Sequence, residues 1–502
     1  MAQTTHPAPS SGRASIVSGL GRRWRALDRS AEVSLVGIAT LLAGAIAVRV
    51  WFIVSYPTAF VGFPDASQYA RAAALGIFRD SQRPAGYPLF LRLIHHLSAS
   101  LSFAMVVQHA LGIATGLLLY RATRRTGAPP WLGLLPAAVV FFGGTGLFLE
   151  HSLLADSLFT FLQAVGVYAA VCALYDPRLR WPVLAGLAIG ADFWVKTAAL
   201  SSLVLVPLVL LCAAPGRARR RLLAGATTAL LAIALILTYV GSQYHFTGYL
   251  GYERESAYDL YGRVATFVEC SKFTPPAGTG FLCPSEPVGH RRPPAYYQDS
   301  PNAPAVERFG PPYAAFPHAN EVLKEFSVAA IEQEPVQYAE AIVRGLSRYV
   351  FPRAGEGYTP QSMRESVVDP PFAESVQPRI DLLYPNNASY LAGRDIAGLS
   401  SYESDTRVGG PLLVLLLVAA IGGLPFLRGR LRWAAVLFTL TALFSITFAV
   451  AGNGYDARYA YPTFGPIAAG AALGAWGIGV YLARAIRARR TRGTRPSPSL
   501  SR

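Results

Sequence analysis

The chain has 502 residues, of which 52% are hydrophobic and only 15% charged. That leaves too little polar surface to coat a soluble globule of this size, so the composition excludes a cytosolic globular protein and points to the membrane. The formal charge of +16 does not signal nucleic acid, because the basic residues are almost all arginine and flank apolar segments, where membrane topology accounts for them.

Apolar runs long enough to cross about 30 Å of hydrocarbon, roughly 20 residues as helix, fall over 33–56, 101–120, 131–149, 152–174, 222–244, 408–427, 433–451 and 463–483. The stretch 181–213 is long enough for two more, turning near Lys196, so the expectation is an all-α polytopic membrane protein with about ten transmembrane helices. The spans divide the chain into a basic tail (1–30), an N-terminal membrane module (31–244) with a long first outer loop (57–100), a polar segment (245–407), C-terminal membrane helices (408–483) and a second basic tail (484–502).

With the N-terminus inside, the tails and short inner loops hold 24 of the 45 basic residues against two acidic ones, Asp28 and Asp176. The segment 245–407 then falls outside with 14 basic and 20 acidic residues. The positive-inside rule selects this orientation, a multi-pass plasma-membrane protein with both termini cytoplasmic. Both tails read as disordered, and no small-residue cleavage site follows the first apolar run. No internal repeat of the kind that marks inverted-repeat transporters is evident.

The first outer loop carries Gly62-Phe63-Pro64-Asp65-Ala66-Ser67-Gln68-Tyr69 and then Arg83-Pro84-Ala85-Gly86-Tyr87-Pro88. Asp65 precedes a helical stretch and stands where an N-cap carboxylate would. Arg83 and Tyr87 close the loop before an amphipathic stretch, Leu89 to Leu97, suited to lie along the membrane surface. Glu150-His151 ends the third span and Asp156 opens the fourth; charges this close to hydrocarbon are functional candidates by default. Asp192 and Lys196, four apart, can meet on one helix face, as an ion pair or as a substrate site. Arg49 is the main ionisable group deeper in a span. The late outer loop reads Gly452-Asn453-Gly454-Tyr455-Asp456-Ala457-Arg458-Tyr459-Ala460-Tyr461-Pro462, where an arginine between tyrosines can clamp a phosphate or carboxylate in bidentate fashion, or Asp456 and Arg458 can anchor the interface.

The 245–407 segment is rich in Pro, Tyr and Gly and reads as an irregular outer domain with a few helices, the best helical pattern running from Glu321 to Val350. Cys270 and Cys283 enclose a Pro/Gly loop and form a disulfide candidate if the segment sits in an oxidising compartment, whereas Cys172 and Cys212 lie in apolar runs. His245, His290 and His318 lack metal spacing and read as solvated loop residues. Asn387-Ala388-Ser389 is a formal glycosylation sequon.

Taken in order along the outer loops, Asp65, then Arg83 with Pro84 and Tyr87, then Asp156, then Arg458 with Tyr459 and Pro462, the chain resembles the GT-C superfamily of polytopic membrane glycosyltransferases, particularly the protein mannosyltransferase and lipid A aminoarabinose transferase branch. The match covers mainly 33–213 and 452–462. The resemblance implies transfer of a sugar from a polyprenyl-phosphate donor to an extracytoplasmic glycan, lipid or protein acceptor. It implies Asp65 as general base, and Arg83, Lys196 and Arg458 as cations holding the donor phosphate. Tyr69, Tyr87, Glu150, His151, Asp156 and Tyr459 would bind or orient substrate. Asp65 is followed by Ala66 rather than by a second acidic residue, so metal-independent transfer with no cofactor is expected. Two other classes remain open: a transporter or flippase for a lipid-linked sugar, and an inactive relative that scaffolds a cell-envelope complex.

Overall fold

A computed structural model of the chain describes residues 12–78, 82–312, 314–353, 356–370, 373–385 and 390–493. The sequon Asn387-Ala388-Ser389 and the ends 1–11 and 494–502 lie outside the described residues. Helix dominates, and among the described residues strand pairing is limited to one isolated bridge between Phe60 and Ser152.

The N-terminal module is built from α1 (Gly12–Ser55), α2 (Pro64–Leu75), α3 (Gly86–His95), α4 (Leu101–Arg125), α5 (Leu134–Phe142), α6 (Gly144–His151), α7 (Asp156–Tyr175), α8 (Arg180–Val195), α9 (Leu200–Ala213) and α10 (Ala218–Thr247). The outer segment carries α11 (Ser256–Ala265), α12 (Pro294–Asp299), α13 (Pro304–Phe309), α14 (His318–Gln333), α15 (Pro335–Ser347), α16 (Pro360–Val367), α17 (Ala373–Asp381) and α18 (Ala397–Thr406). Then α19 (Gly410–Gly422), α20 (Gly429–Asn453) and α21 (Tyr461–Gly493) return to the membrane bundle.

The protein is membrane-embedded. Among the described residues seven helical segments are long and apolar enough to cross a bilayer, and α5 with α6, bent by 50° at Gly143, makes an eighth if the pair is one span. Along α1 and α10, Val36, Val54, Leu230 and Leu237 are all more than 60% exposed, which is unfavourable in water and suits side chains facing lipid. The expected count of ten is not reached on length. The helices expected over 181–213 do form and do break at Lys196, but α8 has 16 residues and α9 has 14. Their rise of about 24 and 21 Å falls short of about 30 Å of hydrocarbon. Both pack against α10 and α7, and α9 also against α20, so the surrounding helices bury much of their apolar surface.

Three boundaries differ from the sequence expectation. Helix α1 starts at Gly12 and α21 continues to Gly493, so helix covers parts of both tails expected to be disordered; Arg and Ala, good helix formers, extend the spans past the hydrocarbon. The fourth span opens at Asp156 rather than at 152, because residues 152–153 pair with the first outer loop: the Phe60 N–H donates to the His151 carbonyl and the Leu153 N–H to the Phe60 carbonyl, both at 2.9 Å. The helical pattern from Glu321 to Val350 is two helices, α14 and α15, because Pro335 lacks a backbone donor and restricts Glu334 before it. Glu334 is put to use at the break, its carboxylate accepting from the Glu269 N–H at 3.0 Å.

The outer domain has its own core, in which Tyr258, Tyr261, Phe267 and Tyr297 meet Leu323 and Phe326. Cys270 and Cys283 are joined there by a disulfide. His245, His290 and His318 are exposed. A second core joins the outer ends of α1, α4 and α7 to α2, α3 and the outer-domain helices α16 to α18, and so fixes the first outer loop against both modules.

Candidate active site

Asp65 lies in the first turn of α2, but its carboxylate does not cap the helix: Phe63 is the N-cap residue and makes no side-chain cap bond. The carboxylate instead receives two guanidinium groups, Arg83 Nη2 on Oδ1 at 2.7 Å and Arg458 Nη1 on Oδ2 at 2.6 Å. Arg83 arrives from the loop before α3 and is oriented by its Nε–H, which donates to Gln68 Oε1 at 2.8 Å. Arg458 sits in the 3-10 turn between α20 and α21. Gly454 ends α20 with φ +92°, a conformation that favours glycine, and Asp456 then caps the turn by accepting from the Arg458 N–H at 3.0 Å. The Asp456 Oδ2 lies 2.9 Å from Arg458 Nε as an ion pair without hydrogen-bond alignment.

Lys196 ends α8 with extended φ and ψ, which turns its side chain out of the helix and away from Asp192. Its Nζ donates to Asp156 Oδ1 at 2.6 Å, so the i,i+4 pairing with Asp192 expected from the sequence does not form. Nζ also stands 5.7 Å from the Phe159 ring and 5.8 Å from that of Tyr459. Gly86 allows this corner to close: a Cβ there would lie 2.6 Å from the Trp194 backbone, two residues before Lys196.

These groups line one cleft of about 790 Å³ between the first outer loop, the α8–α9 break, the late loop and the start of the outer domain. Asp65, Tyr69, Arg83, Lys196, Arg458 and Tyr459 all face it. Apolar side chains line the same cleft, among them Phe159, Val195, Phe448 and Ala449, and Phe448 is 39% exposed. Asp156 lies behind Lys196 as its counter-ion. Among the described residues no group of three or more His, Cys, Asp and Glu side chains is placed to hold a metal ion.

Tyr87, Glu150 and His151 do not line the cleft. Tyr87 packs edge-on behind Tyr69 at 4.8 Å and donates to Gln108 Oε1 at 2.6 Å. Gln108 donates in turn to the carbonyls of Glu150 and Ser152. Glu150 is fully buried and takes Arg49 in bidentate fashion at 2.8 and 2.9 Å, together with His109 Nδ1 at 2.9 Å and the Tyr461 hydroxyl at 3.3 Å. His109 Nε2 meets His151 Nδ1 at 2.9 Å, and His151 Nε2 donates to the Tyr56 carbonyl at 2.7 Å. A buried charge without partners would cost several kcal/mol, and this network supplies partners to every member. Arg49, the deep charge in the first span, is thereby accounted for structurally.

The sequence reading missed the acidic arm of the site. Glu253 and Asp259 line the cleft, and Glu255 Oε2 forms an ion pair with Arg83 Nη2 at 2.7 Å. Two guanidiniums hold the Asp65 carboxyl well below the usual range despite its burial. Burial together with the crowd of carboxylates outweighs Arg83 at the newcomers, so Glu255 is pushed up to about 8 and Asp259 up to about 6. Three acids within seven residues directly after an apolar span, Glu253 to Asp259, were the available signal.

Fold and site together define a polytopic, all-α membrane protein with a charged cleft formed by its first outer loop, late loop and outer domain. No family model and no curated relative matches the chain. Among solved structures, it overlaps the oligosaccharyltransferase AglB of the archaeon Archaeoglobus fulgidus, solved with an inhibitory peptide and a dolichol-phosphate, at 14% identity and a TM-score of 0.43, over 92% of this chain and 52% of that one. A crystal structure of the Archaeoglobus fulgidus oligosaccharyltransferase in its apo form gives 13% identity and a TM-score of 0.45, over 93% and 53% of the two chains. This chain thus spans about half the length of those enzymes.

Proposed function

We propose that this chain is a membrane glycosyltransferase that moves a sugar from a polyprenyl-phosphate donor to an acceptor on the extracytoplasmic side. The observation that carries the reading is the convergence of Arg83, Lys196 and Arg458, from three distant parts of the chain, on one cleft that is also lined by Phe159, Val195 and the partly exposed Phe448. A donor of this class has a phosphate at the membrane surface and a hydrocarbon tail beside it, and the cationic and apolar side chains of the lining suit the two parts. When an acceptor oxygen attacks the anomeric carbon, the bond from that carbon to the phosphate oxygen breaks and negative charge grows on the phosphate. Fixed guanidinium and ammonium groups lower that barrier because they are already in place. Asp65 and Asp156 hold these cations in place, Arg83 and Arg458 on the two oxygens of Asp65 and Lys196 on Asp156. The arginine bias of the loops expected inside supports an extracytoplasmic cleft.

The test is transfer in reconstituted vesicles, with radiolabelled polyprenyl-phosphate mannose, arabinose and glucose offered to an envelope acceptor fraction. Label should move from one donor with the wild type and fall at least 100-fold with Arg458→Gln. No transfer from any donor, with folded protein and an acceptor fraction proven competent, would turn the reading toward a transporter or a scaffold.

A further inference from the structure

The acceptor must lose a proton as its oxygen attacks, and the cleft offers more than one carboxylate for that work. Asp65 is the first in the chain, but both of its oxygens are engaged by guanidiniums at 2.7 and 2.6 Å. A carboxylate held in this way is a weak base, and its lone pairs point at cations rather than at a substrate. Glu253 lines the same cleft from the far side of Arg83 and differs on each count. It is 8% exposed, and its Oε2 is buried with no hydrogen-bond partner. A buried carboxylate oxygen left open beside a cleft calls for a partner from a ligand.

Its backbone is also fixed, as a group that must meet a reacting atom requires. The preceding residue, Tyr252, is pinned at both ends: its hydroxyl donates to the Phe193 carbonyl at 2.7 Å, and its own carbonyl accepts from the Tyr239 hydroxyl at 2.9 Å. The three rings pack with centroids 4.9 to 5.6 Å apart. Glu253 is thereby anchored to α8 and α10 of the membrane module although it belongs to the outer segment.

We propose that Glu253 is the general base that takes the proton from the acceptor hydroxyl, and that Asp65 is a positioning residue for Arg83 and Arg458. The inference rests on the glycosyl-transfer reading above. In the step, the acceptor O–H proton passes to Glu253 Oε2, the freed oxygen pair forms the bond to the anomeric carbon, and the carbon–oxygen bond to phosphate breaks with its electron pair going to the phosphate. Glu253 then releases the proton to water. The environment suits the role: burial raises Glu253 well above the usual carboxylate range, Arg83 opposes this, and the charges of Asp259, Glu255 and Asp65 add to the rise. Lys196 and Arg458 stand across the cleft, and the phenols of Tyr239 and Tyr252 are engaged with backbone carbonyls.

The experiment compares pH–rate profiles of the wild type, Glu253→Gln, Glu253→Asp, Asp259→Asn and Asp65→Asn in the vesicle assay, with binding of the bare polyprenyl phosphate measured alongside. The wild type should gain rate with rising pH as Glu253 ionises. Glu253→Gln should lose 100-fold or more in kcat and lose that rise, with lipid-phosphate binding unchanged. Glu253→Asp, which withdraws the carboxylate by one methylene, should keep the rise at a rate at least 10-fold lower. Asp65→Asn should weaken lipid-phosphate binding and keep the rise. A wild type that transfers sugar while Glu253→Gln, or Glu253→Asp if the glutamine variant does not fold, matches it in rate and profile overturns the assignment and leaves the transferase standing. Loss of the pH-dependent rise in Asp259→Asn or Asp65→Asn, with binding intact, overturns it equally. A wild type that transfers nothing strikes instead at the glycosyl-transfer reading on which the assignment rests.

Discussion

Asp65 Oδ2 and Arg458 Nη1 lie 2.6 Å apart although 393 residues separate them in the chain. The pair ties the first outer loop to the last one, and Arg83 on the other carboxylate oxygen makes a three-member unit. Members of such a unit do not contribute independently. Asp65→Asn and Arg458→Gln should each lower transfer by 100-fold or more, and the double variant should fall well short of the product of the two losses. Measured kcat/KM values for the four proteins in the cycle check this; simple multiplication of the two effects would mean that the residues act separately.

Lys196 gives a second, separable expectation. Its ammonium pairs with Asp156 at 2.6 Å and stands over the rings of Phe159 and Tyr459. If its task is to hold donor phosphate, Lys196→Met should raise the dissociation constant for polyprenyl phosphate about 10-fold or more. Asp156→Asn should act in the same direction by releasing the ammonium from its place. Titration of the lipid phosphate into detergent-solubilised protein distinguishes this from a purely structural pair, which would change the melting temperature and leave affinity alone.

How much of this was legible in the chain differs from part to part. Eight of the ten expected spans were legible because hydrocarbon thickness demands long apolar runs, while the arginine bias predicts a sidedness that contacts within the bundle do not test. The cations Arg83, Lys196 and Arg458 were candidates through the resemblance and the charge that grows on a leaving phosphate, and the span-end cost of a charge marked Glu150 and Asp156. The partners of the cations did not stand out. Lys196 faces Asp156 and not Asp192 because the helix ends at that residue, and a helical-spacing rule cannot foresee where the backbone leaves the helix. Glu150 and His151 stood beside the motif residues in sequence, yet Arg49 and His109 draw them into the bundle. Glu253 was hidden for the opposite reason, since its place at the cleft depends on how the outer segment folds back over α8 and α10.

The Arg49–Glu150 network should matter for folding rather than chemistry. Both side chains are at most 3% exposed, and removing one partner leaves the other charge buried. Arg49→Met or Glu150→Leu alone should cost about 3–5 kcal/mol, whereas the double change should recover much of the loss. Gly112 supports the same point, because a Cβ there would collide with the Glu150 carboxylate. Thermal unfolding in detergent, read beside the transfer rate of whatever fraction stays folded, separates a structural loss from a catalytic one.

The disulfide staples the outer domain across a sequence separation of 13. Closing a loop of that size is worth about 3 kcal/mol in the chain-entropy account. Replacing Cys270 and Cys283 together by serine should lower the unfolding temperature of the outer domain, and reductant should reproduce the effect in the wild type. Cys172 and Cys212 remain unpaired, so a change caused by reductant alone in the double-serine variant would point elsewhere.

Glu255 sets a pH dependence of stability whose sign follows from its surroundings. Burial is the largest influence and raises its pKa; Arg83 lowers it, and Asp259, Asp65 and Asp299 raise it again, with the result at about 8 against an ordinary 4.5. The ion pair with Arg83 at 2.7 Å argues for a fall, but the same Arg83 nitrogen also serves Asp65, so its pull is divided and burial prevails. The folded protein therefore binds this proton more tightly than the unfolded chain does. Its contribution is fully present below pH 4.5 and is lost as pH rises through about 8. Asp259, raised from 3.8 to about 6, acts with the same sign over a lower window. The docking of α11 against the first outer loop should thus loosen from mildly acidic to mildly alkaline pH. Glu255→Gln, which keeps the shape and removes the titration, should flatten the fall in melting temperature between pH 6 and 8. An equally steep fall in that variant would show that another group carries the proton.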